Sequence, residues 1–250
     1  MTDIIDIHTH TIASMHAYST IREMATMAKE RGLALIGISD HAPAMPGTFD
    51  EMYFHNFRVV RPAAYDIDII MGAELNIMDS MGTVDLPEKV LRKLHYAIAS
   101  LHDLVIAPGT LEENTAALIG AMTNPYVVIV GHPDNPAYPV DFDAVARAAA
   151  DAHILIEMNN ASHNPSGSRP GSDRLARELL AACRRHGAHI IMGSDAHIDI
   201  DVGDHSYTHA ILAELDFPNE LVLNDDPNRL KSWIQERHAR NSVHGLNYFS

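Results

Sequence analysis

The sequence predicts an α/β fold in which a parallel sheet closes into a barrel, and three observations support this prediction. First, about seven short apolar runs alternate with helical patterns along the 250 residues, which is typical of repeated βαβ units. Second, every apolar run carries its polar residues at the same end, which favours a closed barrel over an open doubly wound sheet. Third, the connections are short and contain no Pro-, Gly- or Ser-rich linker, so residues 1–250 are expected to form a single domain.

The predicted strands follow one another at regular intervals along the chain. They cover residues 4–8, 33–39, 67–74, 96–101, 126–131, 154–159 and 189–194. Thr20 and Glu23 form a possible capping box at the start of the first helix, and Gly32 is placed to end it. Similar helical patterns cover residues 112–122, 143–152 and 172–186. Asp226 followed by Pro227 predicts the start of a last helix, so we expect a barrel core over about residues 4–200 and C-terminal helical elements to about 240.

Composition excludes several classes of protein. The chain has 46% hydrophobic and 20% charged residues, which is ordinary for a folded protein. Its 18 Lys and Arg stand against 33 Asp and Glu, and no basic run is present, which argues against a nucleic-acid groove. The N-terminus lacks a basic region, and no window approaches the ~18 apolar residues of a membrane span, so we expect a soluble cytoplasmic protein. The one cysteine, Cys183, is expected in the core.

Seventeen histidines are nearly as numerous as all Lys and Arg together, and many of them follow the predicted strands. Parallel strands in a barrel deliver the residues at their C-terminal ends into one mouth. We therefore predict that nine potential metal ligands meet there, namely His8, His10, His16, His41, Glu74, His102, His132, Asp195 and His197. Nine ligands are too many for one tetrahedral ion and suit a cluster of about three cations. Imidazole-rich ligation favours zinc over magnesium or calcium, with manganese and iron as possible alternatives.

The other histidines have less specific sequence contexts. We expect solvated or capping roles for His95, His153, His186, His189, His209, His238 and His244. The sequence assigns no role to His55 or His205. Asp40 and Glu157 are interpreted as residues that orient ligand imidazoles or as structural polar residues.

The strand-end motifs resemble those of the PHP (polymerase and histidinol phosphatase) superfamily. They are Asp-x-His-x-His at residues 6–10, Ser-Asp-His at 39–41, Glu74, His102, Gly-His-Pro at 131–133 and Gly-Ser-Asp-Ala-His at 193–197. The resemblance extends from residue 4 to about residue 240. The stretches around His16 and at residues 157–162 look most like the bacterial YcdX-type trinuclear zinc phosphatases.

This resemblance implies a distorted (β/α)7 TIM-like barrel that holds three zinc ions. One ion would take His8, His10, Glu74 and Asp195, a second Glu74, His102 and His132, and a third His16, His41 and His197. Every one of these positions carries the residue type of the family, so the resemblance gives no sign of a decayed site.

A multinuclear site suits hydrolysis of phosphomonoesters by a metal-bound hydroxide, with Glu74 and Asp195 as the catalytic carboxylates. Arg169 lies in a loop before a predicted helix and is a candidate phosphate contact, while Arg58 is a further candidate that the resemblance favours. The expected partner is a small phosphoester, and a homo-oligomer is possible. Three alternatives stay open: a histidinol-phosphate phosphatase, an amidohydrolase-like ester or amide hydrolase, and a non-catalytic metal-binding module.

Overall fold

The computed structural model describes residues 2–241, in which seven parallel strands pair in the order of the sequence. The strands are β1 (Ile5–Asp6), β2 (Leu35–Ile38), β3 (Asp68–Asn76), β4 (Tyr96–Ser100), β5 (Val127–Val130), β6 (Leu155–Asn159) and β7 (Ile190–Gly193). Each predicted strand is confirmed, with ends that differ from the prediction by no more than two residues. The apolar runs located the strands because these strands are buried on both faces.

The two edges of the sheet, β1 and β7, meet through backbone segments beyond the strands. On the C-terminal side, the amide of His10 donates a hydrogen bond to the carbonyl of Ala196 at 2.8 Å. On the opposite side, Asn224 fills the gap, since its side-chain amide donates to the carbonyls of Ile5 (2.9 Å) and Met192 (3.0 Å). The amide of Met192 in turn donates to the Asn224 side-chain oxygen at 2.8 Å. The result is a nearly closed, distorted (β/α)7 barrel, which confirms the predicted fold class.

Nine α-helices lie in residues 2–241. They are α1 (Ile21–Glu30), α2 (Glu51–His55), α3 (Glu88–Leu91), α4 (Leu111–Ala121), α5 (Phe142–Ala152), α6 (Asn160–His163), α7 (Ser172–His186), α8 (Ser206–Glu214) and α9 (Pro227–Arg240). The predicted capping box of α1 and the Asp226 cap of α9 are both present. The prediction did not include α2, α3 and α6, because helices of four or five residues carry too few turns to show a clear period. It also did not include the nine-residue α8. None of the helices in the described range is long and apolar enough to cross a lipid bilayer.

The apolar core has two layers. The larger layer lies between the sheet and the surrounding helices and contains the fully buried Cys183, as predicted. The smaller layer fills the barrel and includes Tyr96 together with Leu230 and Ile234 of α9, so the C-terminal helix packs against the barrel interior. The Tyr96 ring needs a glycine beside it, because a Cβ on Gly72 would lie 2.5 Å from the ring. Burying each large apolar side chain contributes about 1.5–3 kcal/mol to stability.

Arg237 fixes α9 to the barrel, and among residues 2–241 it has no carboxylate partner. Its buried guanidinium donates hydrogen bonds to the carbonyls of Val127 (3.0 Å), Ala152 (2.9 Å), Met122 (2.6 Å) and Asn124 (2.9 Å). Burial is the first cause that lowers the pKa of Arg237, to about 10, and the nearby charge of Arg240 adds to it. The guanidinium therefore satisfies carbonyls at the ends of several elements, which an apolar side chain would leave unpaired.

Candidate metal centre

The ends of the strands bring all nine predicted ligands together in the barrel mouth. Each of the nine lies within 4 Å of at least one other member, so they form one connected group, which we call the mouth cluster. Its members are His8, His10, His16, His41, Glu74, His102, His132, Asp195 and His197. His16 is exposed and His197 is partly exposed, whereas the other side chains are buried. The prediction that these residues converge therefore agrees with their positions, while their role as ligands stays a prediction.

Glu74 lies at the centre of the mouth cluster. One of its oxygens, Oε1, is 3.1 Å from Nε2 of His102 and 3.0 Å from Nε2 of His132. The other oxygen, Oε2, is 2.8 Å from Nδ1 of His41 and 3.4 Å from Nε2 of His8. The end of β3 places this side chain, and only 1% of it is exposed. A carboxylate with imidazoles around both oxygens is suited to bridging two cations.

Several imidazole nitrogens of the mouth cluster face one another rather than a carboxylate. The Nε2 atoms of His8 and His10 are 3.0 Å apart, and those of His16 and His197 are 2.9 Å apart. Glu74 Oε2 and His41 Nδ1 are both buried and lie 2.8 Å apart, but neither makes a hydrogen bond. Burying unpaired polar atoms is costly, so converging lone pairs fit a site completed by cations.

Three overlapping groups within the described residues have ligand atoms close enough to share an ion. They are His8, His10 and Glu74; His41, Glu74 and His102; and His10, His41 and His197. The ligand atoms in each group lie within 4.8 Å of one another. Mixed imidazole nitrogen and carboxylate oxygen is the donor set that zinc accepts, so the residues present fit this ion.

Asp195 supplies the second carboxylate of the mouth cluster. Its Oδ1 is 3.2 Å from Nε2 of His10, and its Oδ2 accepts a hydrogen bond from Nδ2 of Asn159 at 3.1 Å. The backbone of Asp195 has φ of 57°, in the left-handed region, and His132 also has a positive φ, of 29°. Non-glycine residues rarely adopt these values, and such positions concentrate where side chains are aimed at a functional site.

Glu157 contacts and orients two members of the mouth cluster. Its Oε1 is 2.5 Å from Nδ1 of His8, and its Oε2 accepts the backbone amide of His132 at 2.8 Å. The close approach needs Gly193, because a Cβ at that position would lie 2.5 Å from Glu157 Oε1. The orienting role predicted for Glu157 therefore agrees with its contacts. A carboxylate on Nδ1 leaves Nε2 of His8 free for a metal.

Asp40 reaches the imidazoles through Ser14. The carboxylate of Asp40 accepts hydrogen bonds from the hydroxyls of Ser14 (2.8 Å) and Tyr53 (2.6 Å). The Ser14 oxygen lies 3.0 Å from Nδ1 of His10 and accepts the backbone amide of His41 at 3.1 Å. Sequence reasoning did not find Ser14, because its role depends on where the loop after β1 folds back over β2.

Asn76 was also missed, although the sequence contained a signal for it. Its side-chain oxygen lies 2.8 Å from Nδ1 of His102. Asn76 is two residues after Glu74 on β3, and alternate residues of a strand share a face. The period of the strand therefore places both side chains towards the same site.

The charges of the mouth cluster hold its carboxylates ionised. Burial opposes the charged form of Glu74, but His102, His8 and His41 outweigh it and hold the pKa of Glu74 well below its usual value. For Asp195 burial is likewise outweighed, first by His8, and its pKa is also well below the usual value. Burial, together with the charges of its neighbouring imidazoles, lowers the pKa of His10 well below 6.5. For His8 the direction is opposite, since burial is outweighed by Glu157, Glu74 and Asp195, which raise its pKa well above 6.5. Ionised carboxylates and a neutral His10 are the protonation states that bind metals, and a cation would displace the proton from His8.

The two predicted phosphate contacts lie in different places. Arg169 is at the mouth cluster, where its Nη1 donates to the hydroxyl of Ser162 (2.9 Å) and lies 3.4 Å from Asp195 Oδ2. Arg58 is exposed on a short 3-10 helix and lines a cavity of about 780 Å³ with Lys93 and His95. None of the nine mouth-cluster residues lines that cavity.

A second group of imidazoles and carboxylates lies beside β1, and we call it the Asp3–Asp6 cluster, formed by Asp3, Asp6, His205 and His209. His205 Nδ1 is 2.8 Å from Asp3 Oδ2, and His209 Nε2 is 2.7 Å from the same oxygen. The side chain of Asp6 lies 3.6 Å from His205 Nε2 and accepts the hydroxyl of Ser194 at 2.5 Å. Burial opposes protonation of His205, but hydrogen bonds and charge from Asp3 and Asp6 raise its pKa to about 10. Asp6, the first residue of the Asp-x-His-x-His motif, therefore fixes the β1–β7 junction.

The positions of the remaining histidines differ in part from the solvated or capping roles that the sequence predicted. His153 caps α5, as expected of a capping residue, but it is buried and stacks on Trp233 with ring centroids 3.6 Å apart. His238 is buried rather than solvated. His163 was not singled out from the sequence, yet it is buried, with Nε2 2.8 Å from Asp134 Oδ2. His244 lies outside the described residues.

Comparison with known proteins identifies the family of the chain. The family model for the PHP domain matches residues 6–161. A probable phosphatase of Clostridium novyi is 42% identical over 234 residues, which are 94% of this chain and 95% of that protein. A probable phosphatase of Caldanaerobacter subterraneus subsp. tengcongensis is 44% identical over 238 residues, which are 95% of this chain and 93% of that protein.

The fold also resembles a solved structure of lower sequence identity. The histidinol phosphate phosphatase of Lactococcus lactis, solved with zinc, L-histidinol and phosphate, superimposes with a TM-score of 0.62 and 17% identity. The match covers 87% of this chain and 95% of that chain. The family-model match, the curated relatives and the seven-stranded barrel with its histidine-rich mouth agree, and the chain belongs to the PHP domain family.

Proposed function

We propose that this protein is a metal-dependent phosphatase that hydrolyses phosphomonoesters at the mouth cluster. The observation that carries the proposal is the convergence of seven imidazoles and two carboxylates on one site, with ligand atoms close enough to share cations. The curated relatives, which are called probable phosphatases, support the reaction class. The zinc, histidinol and phosphate bound to the Lactococcus lactis protein support both the metal and the substrate type.

We assign three zinc ions to the mouth cluster in the grouping that the family resemblance implies. The group formed by His8, His10 and Glu74 supports the first ion of that assignment. The group of His41, Glu74 and His102 shares two residues with the second ion, and the group of His10, His41 and His197 shares two with the third. In each of these two groups the remaining residue, His41 or His10, is one that the resemblance gives to a neighbouring ion. When bound, such ions supply a nucleophile by lowering the pKa of water from ~15.7 towards ~7, and they place positive charge beside the phosphoryl oxygens.

The side chains of the protein bind and position the reactants. Glu74 and Asp195 stay ionised across the neutral range and compensate cation charge in a buried site. Glu157 keeps His8 in one orientation, and Arg169, whose Nη1 lies 3.4 Å from Asp195 Oδ2, is the proposed contact for the phosphoryl oxygens. Because Arg169 is only 18% exposed and already bonded to Ser162, it loses little side-chain entropy when the phosphoryl group binds.

A pair of chromogenic substrates tests the reaction class. We expect the zinc-replete protein to hydrolyse p-nitrophenyl phosphate and to leave p-nitrophenyl acetate essentially unchanged. Asp195→Asn should abolish the phosphatase activity, while the surface variant Asp66→Asn, which changes an exposed ion pair with Lys29, should retain it. Esterase activity without phosphatase activity would replace this proposal with an amidohydrolase-like hydrolase, and bound metal without any turnover would favour a non-catalytic module.

Metal analysis and arginine variants test the finer assignments. Gentle purification followed by elemental analysis should find more than one transition-metal ion per chain, and a value of zero or one would contradict the cluster. Arg58→Ala and Arg169→Ala are both expected to raise KM for phosphoesters. Arg58 lines a separate cavity, so its variant is the stricter test of the assignment. An unchanged KM in Arg58→Ala would exclude Arg58 from the substrate site.

A further inference from the structure

We propose that the substrate of the mouth cluster is a monoester with a single phosphoryl group and an apolar, uncharged leaving group. This inference rests on the proposed function and adds the chemical class of the alcohol. Its basis is the character of the residues that surround the ligands. These residues lie in seven mouth segments, each of which follows a strand: residues 7–19, 39–50, 77–87, 101–110, 131–141, 160–171 and 194–205.

The mouth segments contain almost no fixed positive charge. Arg169 is the only Lys or Arg in them, whereas they hold eleven aspartates. Arg169 lies 3.4 Å from Asp195 and is thus positioned for the phosphoryl group that the cations bind. No second cation stands in these segments to receive a further phosphate or carboxylate of a substrate. Some of these aspartates are paired within the fold, as Asp134 is with His163, but a negatively charged leaving group would meet a net excess of carboxylates, and like charges disfavour binding.

Exposed apolar side chains stand next to the predicted ligands. Ile12, Met15, Tyr18 and Leu104 are each within two residues of His10, His16 or His102, and they are 51%, 60%, 77% and 68% exposed. The backbone amide of Tyr18 donates to the carbonyl of the predicted ligand His197 at 2.8 Å, which fixes this residue at the site. Large apolar side chains exposed beside a polar site offer a surface that an apolar leaving group would cover.

Leu104 illustrates how the local structure holds such a side chain at the mouth. The chain turns directly after His102, and the amides of Val105 and Ile106 both donate to the carbonyl of His102, at 3.0 and 2.9 Å. Leu104 therefore sits on a tight turn whose position is fixed by the ligand itself. Met81 belongs to the mouth segment 77–87 and is also exposed, but no predicted ligand lies within two residues of it. Its carbonyl lies instead against Gly120 near the end of α4, where a Cβ on Gly120 would come within 2.1 Å, so it serves as the control.

Binding of n-alkylphosphonates to the zinc-replete protein tests the proposal without any turnover. The affinity, measured by calorimetry, should rise from methyl- to hexylphosphonate by about threefold per methylene. Butylphosphonate should bind at least about tenfold more tightly than 3-carboxypropylphosphonate, which differs by one terminal carboxylate. A flat series, or tighter binding of the carboxylate, would overturn the proposal.

A matched pair of variants assigns the effect to the apolar residues of the mouth. Leu104→Asp should flatten the alkyl series, and Met81→Asp should leave its slope unchanged. Tyr18→Ser is the second variant, in case Leu104→Asp does not fold. If the rise in affinity with alkyl length is unchanged in both Leu104→Asp and Tyr18→Ser, the exposed side chains serve another purpose, such as docking a protein, and the proposal is wrong. Failure of the proposed function would give a different result: the protein would hydrolyse no phosphoester, but its affinity for the alkylphosphonates could still be measured.

Discussion

The mouth cluster and the Asp3–Asp6 cluster contain the same residue types but pair them differently. In the Asp3–Asp6 cluster each imidazole nitrogen that is in contact faces a carboxylate, as in the 2.8 Å approach of His205 to Asp3. In the mouth cluster imidazoles face one another, as in the 3.0 Å approach of His8 to His10, and carboxylates are outnumbered. The Asp3–Asp6 cluster sets two imidazoles against two carboxylates, whereas the mouth cluster sets seven imidazoles around two carboxylates, which leaves nitrogen lone pairs for cations. The partner of each nitrogen, rather than the number of histidines, separates a structural site from a metal site.

The largest expected effect is loss of the central carboxylate of the mouth cluster. Glu74→Gln keeps the shape of the side chain but removes a charge that imidazoles surround on both oxygens. We expect kcat/KM for p-nitrophenyl phosphate to fall by at least ~10³-fold, since several kcal/mol of charge stabilisation is lost. Metal content per chain should also fall, as elemental analysis would show.

The matched control for this prediction comes from the other cluster. Asp3→Asn removes one of the carboxylates that face His205, and we expect it to leave metal content unchanged. If both variants lost metal equally, the distinction between the two clusters would be wrong.

The next effect concerns orientation of a ligand. Glu157→Gln should weaken the contact to His8 Nδ1 while it retains an oxygen that can accept the amide of His132. Residues that orient metal ligands typically contribute 10–100-fold to affinity or activity, so we expect a loss of about that size. When Glu157→Gln is titrated with zinc and its activity is measured at each step, excess metal should restore part of the lost activity. No recovery together with an unchanged zinc affinity would contradict a positioning role.

The Asp3–Asp6 cluster predicts a pH dependence of stability. Folding raises the pKa of His205 from 6.5 to about 10, because Asp3 and Asp6 outweigh the effect of burial. The stabilisation is therefore fully present below pH 6.5 and is lost as the pH rises towards 10. Breaking a buried ion pair costs about 3–5 kcal/mol, so His205→Gln should lower Tm by roughly 10 °C at pH 6.

Thermal melts between pH 6 and pH 10 measure this difference. The gap in Tm between the unaltered protein and His205→Gln should narrow steadily over that range. A gap that stays constant with pH would show that His205 contributes by packing alone.

The smallest expected effect is on the stability of the metal-free protein. Removing bound zinc by dialysis against a chelator should lower Tm by about 5 °C, because a ligand present at 100 times its Kd stabilises by about 2.7 kcal/mol. Adding zinc back should restore the original Tm in a calorimetric scan. His205→Gln should respond to the chelator as the unaltered protein does, whereas Glu74→Gln should respond little. An equal response of all three proteins would place the stabilising metal elsewhere.

Much of the fold could be predicted because local patterns and global structure agree. The apolar runs located every strand, and Thr20 with Glu23 marked the start of α1. The closure of the barrel could not be predicted in detail. It depends on Asn224, which pairs with backbone groups of β1 and β7 more than 30 residues away in sequence, as with Met192. A lone asparagine in a loop carries no local signal of such a role.

The residues of the candidate site also fall into a predicted and an unpredicted group. The residues that converge in the mouth cluster followed from strand ends, because every parallel strand delivers its last side chains to one face of the barrel. Ser14, Asn159 and the buried pair of His163 and Asp134 did not follow, since their contacts join separate loops. Loop conformation depends on packing between distant segments, which the sequence pattern of any one segment does not encode.

By itself, the sequence determined the strand order, the barrel class and the set of residues that meet at the mouth, because periodicity and strand polarity are local properties of the chain. Only the tertiary structure decided the partner of each imidazole. It placed Glu157 against His8, Asp3 against His205 and Arg169 beside Asp195. These pairings depend on distances between residues far apart in the chain, and electrostatic interactions depend on distance and burial rather than on composition.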